Sequence, residues 1–526
     1  MAIAHTTGNE SGMYRRTSQY HPVACLLVAV LLLSACAGVP FDYPKQSSVH
    51  QPLDSATRVG QIASNWRAEH GDHSGLIGLG NGIEALGARL NMMEAAQNSI
   101  DAQYFLIKKD SAGALFAGKL LLAADRGVRV RLLVDDIFTP GTDQAFTLLN
   151  THPNIEVRLF NPVSRQIFKY WGYVVDFKRA NRRMHNKSFT VDNGLTIVGG
   201  RNIGEEYFEL NQDVKFDDYE VLAVGPVVSE VSTGFDEFWN SELAVPMDAF
   251  GLKVDPAELD AWRDYIRREA ESNGAGIYAQ AVNSSFIKDV QEGRITPVVA
   301  DATLITDHPD KLLTDVGDTE LATLAMEIRD RFNAASKEII IVTPYFIPQE
   351  NGARLVEGLQ QRGVRVVIVT NSLASTNHLP VHSAYSRYRK RLLQAGAEIY
   401  EIRAYNADDA NAWGHRPEMT TLHSKATVID RETIFIGSLN FDPRSILINT
   451  EMGLFIESPE VGARFTELIW EDMARVAYRV ELDDKDNLRW TYDFGDAREV
   501  TGKEPLSGWW RRTRSMLFRV LPEGQL

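Results

Sequence analysis

The chain contains two histidine and lysine pairs whose surroundings repeat. His185 is followed by Lys187, Asp192, Gly199 and Asn202, and the same types return at the same spacing as His423, Lys425, Asp430, Gly437 and Asn440. A single His-x-Lys on a strand is ordinarily a polar pair on a solvated face. Five matched positions occurring twice, 238 residues apart, are a duplicated device. An imidazole near neutral pH can act as nucleophile or as general acid and base. An ammonium and a carboxamide beside it are donors for oxygens on which negative charge develops. One His, one Lys and one Asn per half, in two facing halves, suit a two-step displacement at a phosphodiester. One imidazole would attack phosphorus and the other would protonate the departing oxygen.

The residues around each motif predict what must hold it. HNKSFTVD and HSKATVID alternate polar and apolar residues, then give a turn signal (Asn193-Gly194, or Asp430-Arg431-Glu432) and a second β-rich run, LTIVGG or TIFIGS. That pattern predicts a hairpin. With a side-chain period of two, each His and its Lys share a face while Asn186 or Ser424 points away. Each Asn lies just past the return strand and can come back to the same end. The Asp at the seventh position has two readings that spacing leaves open: a residue tolerant of turn geometry, or an orienting group in the site.

Upstream of each motif the same order of elements is expected. Helix 82–97, strand 99–107, helix 112–124 and strand 128–134 precede the first; helix 321–335, strand 338–347, helix 353–361 and strand 364–372 precede the second. Tyr104-Phe105 and Tyr345-Phe346 are 241 positions apart, and Arg126-Gly127 and Arg362-Gly363 are 236 apart, so one ancestral lobe has been copied. Strands alternating with helices give the fold class: α/β, two homologous lobes, each a mixed sheet flanked by helices, with the site at their interface. Glu220 and Glu451 are read as the starts of matching strands behind the motifs. Phe235–Trp239 and Phe465–Trp470 have the spacing of core aromatics on helices.

These motifs resemble those of the phospholipase D superfamily, whose HxKxxxxD signature stands here as HNKSFTVD and HSKATVID and whose second element stands as GGRN and GSLN. Through NRRMHNKSFTVD, VGGRNIGEEYF, VTNSLAS and GSLNFDPRSILINTEMG the chain is most similar to bacterial cardiolipin synthases of the C type, from about Leu76 onward. The resemblance implies a covalent phosphohistidine, with no metal and no cofactor. It implies His185 as nucleophile, His423 as acid and then base, and Lys187, Lys425, Asn202 and Asn440 on the phosphoryl oxygens. Asp192 and Asp430 would support the site, with Glu220, Arg444 and Glu451 tuning it. The expected activity is phosphatidyl transfer, with phosphatidylglycerol and phosphatidylethanolamine as candidate lipids. Hydrolysis to phosphatidic acid is the first alternative, because the motifs do not decide whether water or a lipid alcohol resolves the intermediate. A non-catalytic lipid-binding scaffold is another, disfavoured by two intact half-sites.

Composition narrows the partners. Acidic residues outnumber basic ones 70 to 55, a net charge of −15, whereas a nucleic-acid protein ordinarily shows a basic excess. No nucleic acid is expected; a membrane surface is. Residues 1–35 read as an export signal: Arg15 and Arg16, a short apolar run from Val23 to Leu33, then Leu33-Ser34-Ala35-Cys36. The run is shorter than the roughly 20 residues of a membrane span. The tetrapeptide is similar to a lipobox, making Cys36 a lipid anchor in the bacterial cell envelope and the body periplasm-facing. The only other cysteine, Cys25, falls within the signal. The remaining text divides into a tether (36–75), a first lobe (76–250), a connection (251–310), a second lobe (311–490) and a basic aromatic tail (491–526). Interleaved basic and aromatic residues in Arg165–Tyr173 and in the tail are candidates for contact with lipid.

Overall fold

The computed structural model describes residues 38–526 apart from 138–140, 166–172, 174–175, 212, 272–275, 316–320, 406–418 and 496. The signal and lipid-anchor reading, Cys36 included, and the centre of the Arg165–Tyr173 stretch lie outside the described residues.

Both predicted hairpins form. Ser188–Val191 pairs antiparallel with Leu195–Gly199, and Ala426–Ile429 with Thr433–Gly437. Their three-residue turns have Asp192-Asn193 and Asp430-Arg431 at positive φ, with the Gly194 and Glu432 amides closing back on the Val191 and Ile429 carbonyls. Each hairpin lies in the middle of a mixed sheet. On one side it pairs with Ser99–Tyr104 or Glu338–Val342, which run parallel to Arg129–Asp135 or Arg365–Asn371. On the other it meets Glu220–Val224 or Met452–Glu457. The predicted upstream helices appear as Gly82–Ala95, Ser111–Asp125, Thr323–Ala334 and Gln349–Gln361.

The lobes share one sheet. Ser74–Leu79 of the first pairs antiparallel with Val298–Thr306 of the second, giving 18 strands among the described residues. A parallel two-stranded ribbon, Val214–Asp217 with Met419–Leu422, links the lobes again beside the motifs. Each lobe has its own core, and a third apolar cluster joins Val198, Val221 and Val231 to Ile340, Ile436 and Leu454. Apolar burial therefore holds the two hairpins face to face.

Three expected boundaries shift. The tether reading fails from Lys45 onward, because this polar text satisfies groups of the first lobe. Lys45 Nζ donates to the carbonyls of Ser241 (2.6 Å) and Ala244 (2.8 Å), and buried Arg131 and Arg158 donate to the carbonyls of Ser48 and Gln46. The helix Arg58–His70 follows, capped by the Thr57 hydroxyl, with Val59 fully buried. The connection is likewise no loose linker. Helices Glu258–Glu271 and Ile277–Val282 pack on the first lobe, where a Cβ on Gly87 would run into the Ala281 carbonyl. Strands Leu488–Phe494 and Ala497–Thr501 extend the second sheet, so the tail begins only after Thr501.

Candidate active site

Each motif histidine is aimed by the residue that ends a parallel strand. Asp135 accepts from the amide of Met184 at 2.9 Å and pairs with Arg183 at 3.1 Å. Asn371 grips Leu422 at both its carbonyl (2.9 Å) and its amide (3.0 Å). Met184 and Leu422 immediately precede the histidines. His185 and Lys187, and His423 and Lys425, lie in the extended run just before each hairpin strand rather than on the strand itself. The His185 amide then donates to the Thr450 carbonyl and the His423 amide to the Asp217 carbonyl, so each histidine is pinned to the opposite lobe.

The carboxylates are exchanged in the same way. His185 Nδ1 lies 2.8 Å from Glu451 Oε2, and His423 Nδ1 lies 2.6 Å from Asp218 Oδ2. Glu451 and Asp218 are buried, and Ser438 Oγ donates to Glu451 at 2.5 Å. Nδ1 donating to a carboxylate puts the lone pair of each neutral ring on Nε2, and that of His423 has Lys425 Nζ 3.3 Å away. Both histidines line one pocket of about 390 Å³ together with Asn202, Asn440 and Arg444. Neither lobe assembles an oriented imidazole alone.

The electrostatics are those of a site suited to an anion. Burial pushes both imidazoles down, His423 to about 3, with the ammonium beside each adding to the effect and the paired carboxylate opposing it. Burial also lowers Lys187 to about 7 and Lys425 to about 8. Burial pushes Glu451 and Asp218 up, but the facing cations overcome it and hold both below the ordinary carboxylate range. A phosphodiester entering between these groups would favour their protonated forms.

The structure distributes the predicted residues unevenly. Lys187 and Lys425 are buried behind the histidines; Lys187 Nζ donates to the His185 carbonyl at 2.5 Å, and Lys425 Nζ lies 2.8 Å from His423 Nδ1. Asn202 is tied between the Leu106 amide and the Tyr207 hydroxyl, whereas the side-chain oxygen of Asn440 has no partner among the described residues. Arg444 stands at the rim and bonds Asn181 of the first lobe at 2.6 Å.

Asp192 and Asp430, for which spacing leaves both a turn role and an orienting role open, do not line the pocket. They sit at the far ends of the hairpin strands. Asp192 accepts from the amides of Gln97, Asn98 and Ser99, and Asp430 from those of Ser336, Lys337 and Glu338. The motif aspartate is a turn residue that caps the start of the neighbouring strand. Glu220 is also displaced. It makes a two-pronged ion pair with buried Arg89, at 2.6 and 2.9 Å, inside the first lobe.

Sequence reading missed Asp218, the true counterpart of Glu451. Gly199 pairs with Glu220, and Gly437 with Gly453, so Glu451 matches the residue two before Glu220. Counting back from the paired glycine would have found it. Also missed were Phe216, stacked on His423 with ring centres 5.0 Å apart, and Asp442, a pocket-lining carboxyl pushed by burial up to about 7. Among the described residues one group has metal-ligating types close together, His382, Glu401 and Glu504. Arg389 pairs with Glu401 at 2.9 Å and Glu504 at 2.8 Å, and none of the three lines the pocket.

Two lobes of one plan, each sending an imidazole into one pocket and burying a lysine behind it, define a phospholipase D-type enzyme. The family described as "Cardiolipin synthase, PLD-like domain" matches residues 90–239 and 328–473, and the chain belongs to it. Cardiolipin synthase C of Escherichia coli (strain K12) is 37% identical over 467 residues, covering 86% of this chain and 96% of that protein. A protein of Helicobacter pylori (strain ATCC 700392 / 26695) is 32% identical over 449 residues, 84% of this chain and 87% of its own length. In fold the chain is similar to the crystal structure of phosphatidylserine synthase from Haemophilus influenzae Rd KW20. The TM-score is 0.54 at 13% identity, over 88% of this chain and all of that one.

Proposed function

We propose that the protein is a phosphatidyl transferase that makes cardiolipin. Its acceptor is the free hydroxyl of phosphatidylglycerol, and its donor is phosphatidylglycerol or phosphatidylethanolamine. The observation that carries this reading is the pair of imidazoles in one pocket, each bound at Nδ1 to the other lobe's carboxylate. Similarity to a cardiolipin synthase over most of both chains supports the choice of lipid.

In the proposed cycle His185 Nε2 attacks the donor phosphorus. The bond from phosphorus to the headgroup oxygen breaks, and that oxygen takes the proton of His423. The acceptor hydroxyl then gives its proton to His423 and attacks the same phosphorus, which releases His185 Nε2. Lys187 and Lys425 answer the charge on the phosphoryl oxygens, and Asn202 and Asn440 donate to them. Glu451 and Asp218 steady whichever imidazole is cationic. Outside the described residues, Cys36 would anchor the protein in the envelope facing the periplasm.

Purified protein incubated with vesicles of phosphatidylglycerol alone and of phosphatidylglycerol with phosphatidylethanolamine, followed by mass spectrometry of the products, tests the proposal. Cardiolipin is expected, with free glycerol or ethanolamine released according to the donor, and both products should disappear with His185→Ala or His423→Ala. Phosphatidic acid without cardiolipin would make the enzyme a hydrolase and overturn the proposal, as would turnover that survives either substitution.

A further inference from the structure

The helix Trp509–Phe518 is turned inside out. A surface helix ordinarily buries its apolar stripe and exposes its polar one. Here Trp509, Trp510, Met516 and Leu517, with Val520 just beyond the helix, fall on one arc and are all exposed: Trp509 by 72%, Leu517 by 66% and Val520 by 86%. The opposite side, facing the protein, carries Arg511, Ser515 and a half-buried Phe518. Ser515 is buried and its carbonyl accepts from Ser383 Oγ at 2.6 Å, while Arg511 donates to the carbonyls of Leu373 and Thr376. The stripe is flanked by Arg512, Arg514 and Arg519, and no acidic residue lies between Glu504 and Glu523, in a chain whose net charge is −15.

We infer that this helix is a docking surface for an anionic phospholipid bilayer. Trp and aliphatic side chains would enter the headgroup boundary while the flanking guanidinium groups meet lipid phosphates. A second copy of the chain would need an apolar face framed by acidic side chains at matching positions, whereas an anionic bilayer offers apolar depth and phosphates over its whole surface. The helix also has a place relative to the pocket. It rests on residues 373–385, of which Asn377, His378 and Val381 line the catalytic pocket, and the segment that follows it reaches the same pocket through Gln525 and Leu526. Docking would therefore bring the pocket mouth to the lipid surface, a benefit that rests on the phosphatidyl-transfer reading. Among the described residues no helix is long and apolar enough to cross a membrane, so this contact is interfacial.

Hydrogen exchange of the full chain, read on peptides covering residues 505–521, tests the inference whether or not the N-terminal segment also binds lipid. With phosphatidylglycerol vesicles these amides should exchange about tenfold more slowly than in buffer, and with phosphatidylcholine vesicles the slowing should be much smaller. The variant Trp509→Ser/Trp510→Ser should lose the protection yet keep wild-type turnover of a short-chain, water-soluble phosphodiester. Exchange unchanged by phosphatidylglycerol vesicles, or protection retained in the double variant, would overturn the inference. So would protection in buffer that grows with protein concentration, which would mark a second copy on this face. If protection is seen but no cardiolipin forms, docking stands and the transferase proposal falls.

Discussion

The two lobes present the same motif on the same hairpin, but they surround their imidazoles differently. His185 meets Phe105 edge-on, and its carboxylate partner Glu451 is itself held by Ser438. His423 lies flat against Phe216 and edge-on to Tyr207, with the shorter Asp218 on Nδ1 and Lys425 Nζ 2.8 Å away. Asn202 is tied down while the oxygen of Asn440 is unpartnered among the described residues. Duplication supplied two equivalent histidines, and the differences around them are what the proposed division of roles rests on. A ring boxed by aromatics beside an ammonium holds a proton only when an anion is bound, which suits an acid that must wait for its substrate.

The sharpest way to break this comparison is to remove each ring. His185→Ala and His423→Ala should each lower transfer about 10,000-fold. A donor with an aryl leaving group, which needs no proton, separates them: His423→Ala should still release a burst of the phenol, and His185→Ala should not. A burst from His185→Ala alone would exchange the roles. The crossed carboxylates come next. Glu451→Gln and Asp218→Asn should each lower kcat about 100- to 10,000-fold, because the ring loses its orienting acceptor. Glu220→Gln, aligned with Glu451 by eye but paired with Arg89, should instead lose thermal stability with kcat of the folded fraction preserved.

Protonation gives a smaller but more diagnostic effect. Lys187 near 7, Lys425 near 8 and a depressed His423 are partly or wholly neutral at about pH 8, and a bound anion would raise all three. Calorimetry of sulfate binding, an anion that does not itself titrate in this range, in buffers of different ionisation enthalpy should therefore show net proton uptake at about pH 8, the lysine share of which shrinks as pH falls toward 6 while the imidazole share grows. Zero uptake at about pH 8 would mean the ammonium groups are already charged. The smallest effect on chemistry belongs to the turn residues. Asp192→Asn should cost about 1–3 kcal/mol of stability by weakening three amide contacts, with little change in kcat, read by denaturant unfolding beside turnover.

Much of this was legible in the chain. Duplication, alternation and the turn signals gave both hairpins, the α/β lobes and the two histidines and asparagines of the pocket, because those features are local in sequence. Asp218 was not legible because the loops differ in length. Asn202 precedes Asp218 by 16 residues while Asn440 precedes Glu451 by 11, so an offset carried from one copy misses in the other. The role of the motif aspartates was hidden for the converse reason. Spacing shows that Asp192 recurs as Asp430, but only the fold shows that their partners are the amides before Ile100 and Ile339. The polar text from Lys45 onward read as a tether because its partners, the buried guanidinium groups of Arg131 and Arg158, lie far along the chain.

The claim on which the rest depends is that both lobes act on one phosphorus. A crystal structure with vanadate bound tests it most directly. A shared site predicts vanadium bonded to His185 Nε2, with His423 Nε2 within about 3 Å of the opposite apical oxygen. Vanadate held by one histidine, with the other ring out of hydrogen-bonding reach of every vanadate oxygen, would contradict it.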